Sequence, residues 1–139
     1  MSLAPKFYFF DNGVTRAVLG MLASPPSPME RGRLFEQWFV QEVNRLNDYG
    51  DKDLKLSFWR TSHGAEVDLI VERAGKILGA FECKSTATVS AADLTGLKAF
   101  SETHSKTPLY VVATVKEPRK IGEITVLSPK DAMAVIESA

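Results

Sequence analysis

Two runs decide the fold: Ala65-Glu66-Val67-Asp68-Leu69-Ile70-Val71 and Ile77-Leu78-Gly79-Ala80-Phe81-Glu82-Cys83-Lys84, joined through a turn at Ala74-Gly75. Both runs are strand-like, and the gap between them is hairpin-sized. In a strand, residues i and i+2 share a face. Glu82 and Lys84 therefore point one way and Cys83 the other. The same alternation puts Val67, Leu69 and Val71 on one face, and Glu66, Asp68 and Ile70 on the other. Residues 77–83 are nearly all apolar, which predicts a central strand covered on both sides.

The flanking segments supply the rest of an α/β domain. Leu34, Phe35, Trp38, Phe39, Val43 and Leu46 recur at helical spacing and predict an amphipathic helix from about Arg33 to Asn47. Asp48-Tyr49-Gly50-Asp51 reads as a turn. Leu54, Leu56 and Phe58 alternate as a strand running into Trp59-Arg60. Ala91, Leu94, Leu97 and Phe100 mark a second helix, with Ser90 as its cap. Leu109–Val115 is a buried strand, and a helical crossover before it predicts parallel pairing. Ile124–Leu127 is a shorter strand. Ser128-Pro129 opens a last helix with Met133, Val135 and Ile136 on its apolar side. Nearer the start, Phe7–Phe10 reads as a strand, Ala17–Leu19 as a short helix, and Ser24–Pro28 as a connector. Residues 1–5 read as an appended leader, and 6–139 as one domain. The order predicts a mixed central sheet flanked by helices.

Chemistry concentrates on Glu36, Asp68, Glu82 and Lys84. A hard cation such as magnesium takes oxygen ligands and keeps several waters, so two protein carboxylates suffice. Asp68 and Glu82 are the candidate metal ligands, with the Cys83 carbonyl as a third. A divalent ion there would make water a usable nucleophile and offset charge developing on phosphorus. Lys84 could orient that water or act as a fixed cation beside the transition state. Glu36 falls in a helical row with Val40, Val43 and Asn47, at the border of the buried face. From there it could complete or bridge a metal shell. The competing reading of Glu82-Cys83-Lys84 is a solvated ion pair. Glu82 ends an apolar run, where a solvated carboxylate is unexpected.

Other residues carry less. His63 lies in a turn near the acids and reads as solvated. His104 reads as a surface residue at a helix end. Cys83, the only cysteine, lacks a histidine partner and reads as a structural thiol. Trp59 reads as core. Arg60 reads as a partner for Glu66 or for a phosphate, with the ion pair favoured; Glu66 itself is either a supporting acid or solvated.

Composition sets bounds. The 139 residues carry 17 basic and 17 acidic side chains, for a net charge of zero. Proteins that bind nucleic acid indiscriminately usually show a basic excess. Residues 98–120 are mildly basic, as a solvated face would be. One cysteine excludes a disulfide framework and a zinc–cysteine cluster. No run approaches the roughly 18 apolar residues of a membrane span. A reducing, cytoplasmic setting is expected.

As a set, the motifs resemble the PD-(D/E)XK, or restriction-endonuclease-like, nuclease superfamily. More narrowly the chain resembles the C-terminal domain, of unknown function, found in a family of prokaryotic AAA-type P-loop ATPases. The matching stretches are Lys6–Gly13, Gly32-Arg33-Leu34-Phe35-Glu36, Phe58-Trp59-Arg60, Gly64-Ala65-Glu66-Val67-Asp68 and Phe81-Glu82-Cys83-Lys84. Val67 stands where the superfamily often has proline. The resemblance implies a restriction-endonuclease-like mixed sheet between helices. It implies metal positions at Asp68, Glu82 and the Cys83 carbonyl, a catalytic Lys84 and a helix acid at Glu36. It also implies Mg2+ or Mn2+ as cofactor and DNA as substrate. An ATPase region of the same longer chain would be the partner, with ATP bound there. Gly75-Lys76 is no P-loop, because Ile70 and Ile77 occupy positions that need glycine and Ser or Thr. Two functions follow as expectations: a metal-dependent nuclease, or an inactive nuclease-fold module that binds nucleic acid or protein for the ATPase.

Overall fold

The computed structural model describes residues 2–5 and 27–139. The elements expected at Phe7–Phe10 and Ala17–Leu19 lie outside these residues. Ser2–Pro5 forms strand β1. Helix α1 spans Pro28–Gly50, and strands β2 (Leu54–Arg60), β3 (Glu66–Arg73) and β4 (Lys76–Lys84) follow. A 3-10 turn at Ala91–Leu94 leads into α2 (Thr95–Thr103). Then come β5 (Leu109–Ala113), β6 (Arg119–Ile121), β7 (Ile124–Leu127) and α3 (Pro129–Ser138).

Among the described residues the strands form one mixed sheet of seven, in the order β1-β2-β3-β4-β5-β7-β6. β1 to β4 pair antiparallel; β4 with β5 and β5 with β7 pair parallel. The parallel pairing expected after the second helix is present. β6, absent from the sequence reading, closes the edge as an antiparallel partner of β7. Its three residues are too short to show an alternation, and Gly122 supplies the positive φ of its turn.

Helix α1 is longer than the periodicity predicts. Ser27, read as connector, caps it: its hydroxyl accepts from Glu30 N–H, and Glu30 accepts in return from Ser27 N–H. Pro28 then sits at N1, where its missing donor costs nothing. The helix runs through the expected turn to Gly50 and ends on Asp51 in the left-handed region. Asn47 docks its last turns onto β2, accepting from Leu54 N–H at 2.8 Å and donating to Leu54 C=O at 2.9 Å.

Helices cover both sheet faces. Phe39, Val40 and Val43 of α1 and Ala132 and Ile136 of α3 bury against Leu69, Val71, Phe81 and Val112. On the other face Leu97 and Phe100 of α2 bury against Trp59, Val67, Ile70, Ala80 and Val111. β4 lies mid-sheet, with Ala80 in one core and Phe81 in the other, as its continuous apolar run predicts.

The two cores expose a break in the alternation of β3. Val67 and Leu69 are two residues apart, yet they face opposite cores. Ser57 pairs with Ile70 and Trp59 with Val67, so Asp68 and Leu69 together oppose Phe58. This is a β-bulge, which re-aims side chains. The expectation that Val67, Leu69 and Val71 share a face opposite Asp68 and Ile70 fails at this point. Arg60 also departs from expectation: its guanidinium lies over the Phe58 ring, 5.3 Å from the centroid, and no ion pair with Glu66 forms.

Candidate active site

The β3–β4 ladder has Leu69 opposite Phe81 as its last pair before the acids. Beyond it, side chains take over hydrogen bonds that backbone would otherwise make. The Asp68 carboxylate accepts from Cys83 N–H at 2.9 Å. The Glu82 carboxylate accepts from Asp68 N–H at 3.2 Å. Each acid thus satisfies the other strand's backbone. The bulge at Asp68 and the end of β4 bring the two carboxyl groups together, and Glu36 approaches them from α1.

The electrostatics follow from crowding. Burial pushes Asp68 up to about 6, the hydrogen bond from Glu82 opposes the rise, and the Glu36 charge adds to it. Burial pushes Glu82 up to about 10, with its hydrogen bond to Asp68 and the charges of Asp68 and Glu36 adding to the rise. Desolvation and like charge both favour the protonated acid. Such a cluster is satisfied by a retained proton or by a cation.

A cleft of about 560 Å³ opens over these groups. Glu36, Asp68, Glu82, Cys83 and Lys84 all line it, together with Arg31 and Arg33 of α1 and Asp93 of the 3-10 turn. Every site residue singled out from the sequence is therefore in one place. Cys83 lines the cleft, and its half-buried side chain packs on the α1-side core. Glu66 is exposed. His63 is exposed in its turn, and His104 ends α2 stacked on Phe100 with ring centroids 4.0 Å apart.

Lys84 is where geometry and expectation part. Its ammonium pairs with Asp93 at 3.2 Å, and forms an ion pair with neither Asp68 nor Glu82. The solvated Glu82–Lys84 pair considered from the sequence does not form. Asp93 is itself fixed: its second oxygen accepts from Ser90 N–H at 2.8 Å and from the Ser90 hydroxyl at 3.0 Å. Burial would raise this carboxyl, but the Ser90 bonds and then Lys84 outweigh it and hold it below its usual range. Sequence reasoning missed Asp93. The legible signal was Ser90-x-x-Asp93, a capping-box spacing shortly after Lys84.

The donor set suits a hard divalent cation: two carboxylates, a third acid in reach and an adjacent backbone carbonyl. Among the described residues no group of three or more His, Cys, Asp or Glu is spaced as a ready-made metal cage.

Residues 31–131 match the family model described as Domain of unknown function (DUF4143). The chain belongs to this family. The match runs from the first turn of α1 to the start of α3 and takes in Glu36, Asp68, Glu82, Cys83, Lys84 and Asp93, while Pro28 and Met29 of the cleft lie outside it. Two curated relatives, uncharacterized proteins from Mycobacterium bovis and Mycobacterium tuberculosis, are each 34% identical over 90 residues. The match takes in 63% of this chain but only 19% of either relative. The DUF4143 domain here thus corresponds to a minor part of much longer proteins. No solved structure matches significantly. Among the described residues no helix is long and apolar enough to cross a membrane.

Proposed function

We propose that this DUF4143 domain is a divalent-metal-dependent nuclease of restriction-endonuclease-like type, hydrolysing phosphodiester bonds of nucleic acid, with DNA as substrate. In the longer chain it works beside an ATPase region that binds ATP. The observation that carries the reading is the half-buried, reciprocally bonded pair Asp68–Glu82 with Glu36 in the same cleft. Perturbed carboxylates in a cleft are a functional signature, because burying like charge costs stability that a purely structural site has no reason to spend.

In this reading Asp68, Glu82 and the Cys83 carbonyl hold Mg2+ or Mn2+, with Glu36 supporting them. When bound, the ion supplies a more acidic water and charge compensation at phosphorus. The chain's own residues do the rest. Asp68 and Glu82 are held by each other's strand, so they meet the ion without searching rotamers. Lys84 offers N–H donors at the cleft wall, where a fixed cation favours an anionic transition state. Arg31 and Arg33 at the rim favour an anionic substrate despite the neutral net charge.

The test is cleavage of DNA with Mg2+ or Mn2+ by wild type, Asp68→Asn and Glu82→Gln. Activity that survives both changes removes the nuclease reading. The second reading, an inactive module binding nucleic acid or protein for the ATPase, draws on one observation: Lys84 already has a partner in Asp93. It expects no divalent-ion affinity. Calorimetric Mg2+ or Mn2+ binding that disappears in Asp68→Asn counts against it.

A further inference from the structure

The Ser90–Asp93–Lys84 chain is a built arrangement outside the acid pair. Lys84 ends β4, and Asp93 sits in the 3-10 turn whose Leu94 anchors it in the α2-side core. Ser90 binds one Asp93 oxygen with both its N–H and its hydroxyl, leaving the other aimed at the Lys84 ammonium. We infer that Asp93 is a positioning residue: clamped by Ser90, it fixes the Lys84 ammonium at the cleft wall. The catalytic consequence rests on the nuclease reading above.

The physical case is one of freedom against charge. A lysine side chain has four rotatable bonds and loses much rotamer freedom when held in one place. Asp93 removes that freedom before substrate arrives and occupies one of three ammonium donors, leaving two. The Lys84 side chain is 37% exposed and that of Asp93 19%, so the pair adds little to folding. Against this, Asp93 partly neutralises Lys84. If charge mattered more than position, Asp93 would be a brake and its removal would speed cleavage.

Two readouts on the 139-residue protein separate these outcomes. The first is NMR of the Lys84 Cε and Nζ signals, assigned by their loss in Lys84→Met. In the wild type they stand apart from those of other lysines; in Asp93→Asn they move to the common position, and in Ser90→Ala part of the way. The second is DNA cleavage with Mg2+ or Mn2+. Asp93→Asn lowers kcat about tenfold, the scale of a long side chain's rotamer freedom. KM is unchanged, and the same substitution has no further effect in a Lys84→Met background. Lys84 signals that do not move in Asp93→Asn overturn the assignment whether or not DNA is cut. Faster cleavage by Asp93→Asn overturns it as well. Signals that move in a protein that cuts no DNA uphold the positioning and remove the nuclease reading instead.

Discussion

The two ends of the β3–β4 hairpin treat charge in opposite ways. At the turn end the backbone pairs with itself through Arg73 and Lys76, and Glu72 meets Lys55 at 3.8 Å near solvent. Lys55, Ala74, Gly75 and Lys76 there are exposed. At the other end carboxylates replace backbone partners, and Asp68 and Glu82 are both pushed toward their protonated forms. One strand pair thus carries a solvated end that serves folding and a desolvated end that opposes it. Stability and chemistry are expected to respond oppositely to neutralising acids at the two ends.

The sharpest break of that contrast is kinetic. Asp68→Asn and Glu82→Gln are each expected to lower metal-dependent DNA cleavage by about a thousandfold, the upper range for loss of one electrostatic stabiliser. Both variants should fold at least as well as wild type. Glu72→Gln at the turn end should leave the rate unchanged. Initial rates on a labelled DNA substrate, beside urea melts of each variant, check this. Comparable losses at the two ends would erase the distinction.

Next in size is a steric change that moves the acid end as a body. Gly96 of α2 packs so closely on β3 that a Cβ there would lie 1.7 Å from the Glu66 carbonyl oxygen. That neighbour is backbone two residues from Asp68, and it cannot swing aside. Gly96→Ala should cost about 3 kcal/mol, at the high end for overpacking, and should also disturb the Asp68–Glu82 bonds. Urea midpoints measure the first effect. A variant as stable as wild type would mean that α2 and β3 separate easily.

Much of this was readable in advance, for identifiable reasons. The apolar run of β4 signalled its central place because burial on both faces leaves no polar positions. The row Glu36, Val40, Val43 and Asn47 placed an acid at the border of a buried face, because helix phase is nearly rigid. Glu36 is accordingly half-buried in the cleft, with Val40 and Val43 fully buried. The bulge at Asp68 was not readable. Strand alternation is local, whereas one extra residue opposite Phe58 shows only once β2 is paired. The start of α1 was misread because prolines around Ser27 suggested a connector, while the reciprocal Ser27–Glu30 cap decided otherwise. Asp93 escaped because the Ser90-x-x-Asp93 spacing signals a cap, and nothing in that spacing points to its contact with Lys84.

The desolvated end should also declare itself through pH. Asp68 titrates near 3.8 when unfolded and about 6 when folded. Between those values the native state holds more protons than the unfolded one, so stability falls as pH rises. The contribution is fully present below the unfolded value and is lost as pH passes the folded one. Glu82 extends the same slope to higher pH, since it is raised to about 10. This is opposite in sign to an ion-paired carboxylate. The stability advantage of Asp68→Asn over wild type should therefore widen from pH 4 to pH 6, by about 1–2 kcal/mol. Added Mg2+ should narrow it. Urea midpoints across that range test the slope, and a gap independent of pH would mean that Asp68 is not desolvated.

The smallest effect belongs to the turn end, and it sharpens the contrast from the other side. Ala74 has φ 53° and Gly75 φ 78°, as a two-residue hairpin turn of this hand requires. Glycine adopts that backbone freely, while the Cβ of alanine crowds the following carbonyl oxygen there, at roughly 1 kcal/mol. Asparagine tolerates the region without the unfolded-chain freedom of glycine. Ala74→Asn should raise stability by about 0.5 kcal/mol, a melting-point gain of about 2 °C for a domain this size. It should leave DNA cleavage untouched, because the backbone ladder between the turn and Leu69–Phe81 absorbs the change. Equal gains in wild type and in Asp68→Asn would establish the two ends as independent. A gain that vanished in Asp68→Asn would mean that strain at the turn and charge at the acids are coupled along the strands.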